Sequence, residues 1–94
     1  MEDEHKEIVR KFYEIYRPLQ KRYNLRSHMH FSIYEREDDL IEVWEYEGET
    51  CGKCIVRAKE TEEIDCYKRA IDELKNYKQE REGKEHERSA AMAG

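Results

Sequence analysis

The chain has one proline, one tryptophan, two phenylalanines, four glycines and three cysteines among its 94 residues. With so little Pro and Gly there is no interior linker, and the length suits one domain, expected over residues 1–78. No apolar run approaches the ~18 residues of a membrane span. The start, Met-Glu-Asp-Glu-His-Lys-Glu, lacks the basic and apolar stretches of a secretory signal, so a cytoplasmic location is expected. An odd number of cysteines argues for free thiols in a reducing compartment and against a disulfide framework. There is no glycine-rich phosphate loop, no His-Glu-x-x-His motif and no Ser-His-Asp or Cys-His grouping that the expected topology brings together. Neither an enzyme nor a cofactor is therefore expected.

What is present is charge. Charged residues make up 44% of the chain and apolar ones 37%, which supplies a thin core and favours a two-layer structure. The net charge of −5 is uneven: residues 1–26 hold seven Lys/Arg against five Asp/Glu, residues 27–60 four against nine, and residues 61–94 seven against nine. The segment Arg17, Lys21, Arg22, Arg26 contains no acid and is the one locally basic stretch. It reads either as the solvated end of a helix, where cations complement the helix dipole, or as a phosphate-binding cluster.

From Glu4 to about Asn24, Ile8, Phe12, Ile15 and Leu19 recur at helical spacing with Val9, Tyr16 and Tyr23 beside them. Glu7 and Lys11 form an i,i+4 pair on the wet side. Pro18 is expected to kink this helix or break it near Arg17. Residues 28–34 alternate, with Met29, Phe31 and Ile33 on one face and His28, His30, Ser32 and Tyr34 on the other, which predicts a strand. A turn at 35–39 would set Ile33 opposite Ile41.

The stretch from Leu40 to Ala58 alternates around Glu47-Gly48 and predicts a hairpin. One face, Ile41, Val43, Cys54, Val56 and Ala58, reads as core. The other carries Leu40, Trp44, Tyr46, Cys51, Lys53, Ile55 and Arg57. A two- or four-residue turn keeps the apolar sets together, whereas a three-residue loop would carry Lys53 and Arg57 to the core face and is excluded on that ground. A second helix is expected from a Thr61 cap, with Ile64, Tyr67, Ile71 and Leu74 buried, to about Lys78. Residues 79–94 then form a mobile charged tail. The fold class is α+β, in the order α-β-β-β-α, with a three-stranded antiparallel meander, both helices on one face and the other face open.

Cys51-Gly-Lys-Cys54 has the spacing of a zinc knuckle or a redox pair, with Cys66, His28 and His30 as the residues that would complete a metal set. Alternation separates Cys51 from Cys54, and a thiol pair in a strand lacks the helix N-terminus that lowers a redox thiol's pKa. The expectation is therefore that Cys54 is a small core residue and Cys51 a surface one, with a small zinc-binding domain as the minor alternative. His28 and His30 read as solvated imidazoles on an edge strand.

The helix–three strands–helix order resembles that of double-stranded RNA-binding domains, over residues 4–78 and in topology alone. Those domains hold phosphates with a basic cluster at the start of the second helix. This chain has Glu60-Thr-Glu-Glu-Ile-Asp65 there, so no site carries over.

The face bearing Leu40, Trp44 and Ile55 as an apolar centre, with Tyr34, Tyr46, Lys53 and Arg57 around it, has the residue types of an interface hot spot. The function expected from the sequence is a small protein-binding module, regulator or inhibitor that uses this face, including the form in which it pairs with its own copy. The alternative is nucleic-acid binding, either by the same aromatic and basic face or through Arg17, Lys21, Arg22 and Arg26.

Overall fold

Asn24 alone separates the first helix from the first strand, and it does so in the left-handed region at φ 54°. Asn tolerates that conformation better than most residues and ends the helix in a single step. The computed structural model describes residues 2–31, 38–48 and 51–93. The elements are α1 (Glu2–Tyr23), β1 (Leu25–His30), β2 (Asp39–Glu47), β3 (Cys51–Glu60) and α2 (Glu63–Ala93). The strands form one antiparallel sheet in the order β1-β2-β3, so the class and element order agree with the sequence.

Both helices pack on one face of the sheet. α1 contributes Phe12, Tyr16, Leu19 and Tyr23 to the buried cluster and α2 contributes Cys66, Tyr67, Ala70, Ile71, Leu74 and Tyr77, against Leu25, Ile41, Val43, Val56 and Ala58. These spacings of three and four put each set on one helix face. Cys66 is thus a core residue, fully buried. Aromatic edges join the helices, with Phe12 against Tyr67 and Tyr23 against Tyr77, and Phe31, just after β1, packs on Tyr67 at a tilt.

Pro18 does not break α1, which runs through it as one 22-residue element. Core residues on either side, Tyr16 before and Leu19 after, join the same buried cluster, and exposed Pro18 gives up its donor on the solvated side.

β1 starts three residues earlier than its alternation suggested, and its pairing with β2 is shifted by four. Met29, not Ile33, faces Ile41, and Leu25 faces Glu45. A four-residue slip leaves every side chain on its expected face, so alternation alone does not detect it. The direct step from Asn24 and the burial of Leu25, 2% exposed, favour the earlier register. Ile33, Tyr34 and most of the expected turn at 35–39 lie outside the described residues.

The β2–β3 hairpin takes the loop length that the sequence argument excluded. Glu47 faces Cys51, which leaves three residues between the strands, and Gly48 adopts φ 69°. Trp44 faces Cys54, but Val43 faces Val56, so Ile55 is an extra residue in β3. This bulge resets the alternation: Val56 and Ala58 reach the core, Arg57 stays off it, and only Lys53 falls on the helix side.

α2 does not stop near Lys78. Its backbone continues to Ala93 through residues rich in Glu, Lys, Arg and Ala, which are good helix formers. Beyond Lys78, Arg81 is fastened to the rest of the molecule by an ion pair to Glu45 at 3.2 Å and by stacking on Tyr23 at 4.6 Å.

Candidate binding face

β1 and β3 flank β2 on the sheet face that neither helix covers. Cross-strand pairing sets Arg26 beside Trp44, His28 beside Glu42 and His30 beside Leu40 on one flank. On the other flank Gly52 faces Tyr46, Cys54 faces Trp44, Arg57 faces Glu42 and Lys59 faces Leu40. The centre line is Leu40, Glu42, Trp44 and Tyr46, all half-buried, while Arg26, Arg57 and Lys59 at the sides are exposed. An aromatic and aliphatic ridge therefore runs between Arg26 and two histidines on one side and Arg57 and Lys59 on the other. Glu42 is its one acid among the described residues, and Arg57 Nε lies 3.9 Å from it.

Tyr46 occupies the end of this ridge. A Cβ on Gly52 would lie 2.8 Å from Tyr46 Cε1, so the phenol lies over the glycine backbone. From the other strand Arg26 places its guanidinium 5.1 Å from the same ring. Tyr46 N–H donates to the Asn24 carbonyl and Asn24 Nδ2 donates to the Tyr46 carbonyl, both at 3.2 Å, which holds the end of β2 against the α1–β1 junction.

Around that end lies a cavity of about 780 Å³, lined by Lys21, Arg22, Tyr23, Tyr46, Gly52, Lys53 and Arg81 together with Gln20, Asn24, Glu45 and Glu47. Glu45 is occupied by Arg81. Arg22 and Arg81 both lie over the Tyr23 ring, at 5.3 and 4.6 Å. Tyr46, Gly52 and Asn24 thus belong both to the cavity wall and to the margin of the open face, and the two surfaces meet there.

Several residues assigned to the face from sequence lie elsewhere. Lys53 is on the helix side, opposite Glu45. Ile55 packs against the core and lines a second cleft with Glu73, Asn76 and Tyr77 of α2, because the bulge turns it there. Tyr34 lies outside the described residues. Leu40, Trp44, Tyr46 and Arg57 are on the open face as expected, and Arg26 joins them. Of the basic segment, Arg26 lies over Tyr46, Lys21 and Arg22 line the cavity, and Arg17 is turned away over the Tyr13 ring at 5.1 Å. Lys59 was legible as an alternating neighbour of Arg57, whereas Arg26 was hidden because β1 starts earlier than expected.

Cys54 and Cys66 lie on opposite sides of the sheet, and the side chain of Cys51 lies outside the described residues. Cys54 is half-buried rather than a core residue, and its thiol donates to the Val56 carbonyl at 3.3 Å. Burial, reinforced by Glu42, pushes that thiol's pKa up against the pull of Arg57. Cys66 lies in the core on the other side of the sheet and donates to the Asp39 carbonyl at 3.1 Å; burial raises its pKa also. Raised thiol pKa values oppose both nucleophilic and metal-ligating use. Among the described residues no group of three His, Cys, Asp or Glu is placed to hold a metal ion. No helix among them is long and apolar enough to cross a membrane.

The free edge of β3 is partly occupied. Glu73 of α2 accepts the Arg57 backbone N–H at 3.2 Å, and Arg69 bridges Glu73 and Glu60 at 3.3 and 3.2 Å. A strand adding at that edge would have to displace this network. Comparison with protein-family models, curated proteins and solved structures finds no match for the chain, so the geometry alone carries the functional reading.

Proposed function

We propose that the chain is a non-catalytic binding module that grips an anionic partner on the open sheet face, with Trp44 as its anchor. The supporting observation is the arrangement of that face: Leu40, Trp44 and Tyr46 on the centre strand, with Arg26 on one side and Arg57 and Lys59 on the other. Aromatic residues and arginine dominate interface energetics, and here they are contiguous. The face counts three permanent cations against Glu42, in a chain whose net charge is −5. A second copy meeting this face with its own would bring like charges together, so self-association is less favoured than a partner with surplus negative charge. Away from this face the balance of charge is acidic, which favours the face as the site of approach.

A photo-crosslinking residue introduced at Leu40, compared with one at exposed Lys75 on α2, tests the reading in the native cell. The expected result is a discrete species captured from position 40 and lost when Arg26→Glu and Arg57→Glu are added. Equal capture from positions 40 and 75 would remove the open face as the working surface.

A further inference from the structure

We infer that the anionic partner is a single-stranded nucleic acid, which lies across the open face and continues into the cavity at the α1–β1 junction. This rests on the open-face reading above and deepens it. The sequence presents two unconnected features, a basic segment ending at Arg26 and an aromatic hairpin. The fold joins them. Arg26 lies 5.1 Å over the Tyr46 ring, and Tyr46 in turn shares the cavity wall with Lys21, Arg22 and Lys53.

The pattern of rings and cations selects the class of polymer. Trp44 and Tyr46 are two residues apart on one strand face, roughly 6.6–6.8 Å along it, comparable with one nucleotide step of an extended single strand. Bases stack on such rings whatever their sequence, and also on guanidinium planes such as that of Arg26 over Tyr46, while flanking cations hold the phosphates. A duplex keeps its bases stacked inside and would leave both aromatics unused. An acidic peptide would satisfy the cations but has no flat π-faces for the rings.

Electrostatics supports the same path. The open face and the cavity together carry Lys21, Arg22, Arg26, Lys53, Arg57, Lys59 and Arg81 against Glu42, Glu45 and Glu47, and two of those acids are paired with Arg57 and Arg81. Lys53 gains a role from this. The bulge at Ile55 leaves it the one β3 cation on the helix side, and it opens onto the cavity, where a charge that packing alone would disfavour is solvated and available to a phosphate.

The test is fluorescence anisotropy of the full chain with a labelled U12 RNA, a 12-base-pair RNA duplex and a 12-residue poly-Glu peptide, at 25 and 200 mM salt. Trp44 is the chain's one tryptophan, so its emission reports occupancy of the face directly. The expected result is binding of U12 with quenching of Trp44, weakening steeply with salt, and little binding of duplex or peptide. Exposed Arg26→Glu and Lys53→Glu should each weaken U12 by about tenfold and reduce the salt dependence, and Trp44→Ala should weaken it about tenfold with the salt dependence retained. Lys75→Glu is the control and should change nothing beyond the small effect of net charge. No U12 binding at 25 mM salt, or duplex bound as well as U12, overturns the inference. Binding of the peptide alone with Trp44 quenching overturns the nucleic acid while supporting the open face. U12 binding that needs Lys53 but is indifferent to Trp44→Ala overturns the open-face reading itself.

Discussion

The guanidinium of Arg26 lies 5.1 Å from the centre of the Tyr46 ring, so β1 and β2 are joined on the open face by a cation–π contact as well as by their ladder. Both residues owe this position to Asn24, whose φ of 54° starts β1 directly after α1. Substitutions at Asn24 and Gly52 test that local arrangement, and truncation of α2 and a substitution at Tyr67 test the packing behind it.

Asn24 should accept glycine and reject β-branched residues. In the left-handed region a β-branched side chain costs about 1–2 kcal/mol, whereas glycine pays none of that penalty and gives up only the exposed bond to the Tyr46 carbonyl. Urea unfolding should show Asn24→Gly within about 0.5 kcal/mol of wild type and Asn24→Val lower by about 1–2 kcal/mol.

Gly52→Ala should displace the Tyr46 ring rather than the strand, because the new Cβ would lie 2.8 Å from Tyr46 Cε1, an atom of a movable side chain. A loss of about 1 kcal/mol is expected, on the scale of cross-strand pairs. In a double-mutant cycle with Tyr46→Ser most of that loss should vanish, and a loss that persists would place the strain in the backbone instead.

Truncation separates the two parts of α2 beyond Lys78. A chain ending at Lys84 keeps Arg81 on Glu45 and Tyr23, while one ending at Lys78 exposes the Tyr23–Tyr77 edge and leaves Glu45 without that partner. Thermal unfolding should find the chain ending at Lys84 close to full length and the one ending at Lys78 less stable by about 1–3 kcal/mol.

Alkaline stability should depend on Tyr67. Burial, followed by the influence of Tyr13 and Glu63, pushes its phenol up to about 12 from an ordinary value of 10. The folded state therefore holds the proton that the unfolded chain releases. This contribution is complete below pH 10 and is lost as pH rises from 10 to 12. Tyr77 shifts in the same direction, mainly through burial and then Glu45. Tyr67→Phe should flatten the fall in stability over that window, checked by urea midpoints at successive pH values and by phenolate absorbance.

The helices were legible because Phe12, Leu19, Ile71 and Leu74 repeat at a period that no other structure buries. The core side of β2 was legible for the same reason. The strand neighbours were not, and the cause is specific. Residues 25–30 and 28–34 alternate in phase, so pattern alone cannot choose between Leu25 and Ile33 as the strand's buried end. Asn24 ahead of Leu25, a residue suited to ending a helix, was the available signal. The hairpin was misread because an unbroken ladder was assumed, and one inserted residue, Ile55, makes a three-residue loop compatible with a buried Val56. The same oversight placed Cys54 in the core and Lys53 and Ile55 on the open face. That Arg26 meets Tyr46 requires the earlier start of β1, and that Lys53 opens onto the cavity requires the bulge in β3, so the joined surface emerges only from the folded chain.

The uneven placement of charge has a consequence for how encounters begin. A molecule of net charge −5 that carries a local excess of cations on one face and at one end has an electrical asymmetry, so a polyanion's field exerts a torque on it before contact. Collisions in the wrong orientation are turned away, and those with β2 leading are drawn in. Salt shortens the range over which this sorting operates, to about 10 Å at 0.1 M. Ionic strength should therefore act mainly on the association rate, leaving dissociation to the aromatic contacts that form afterwards.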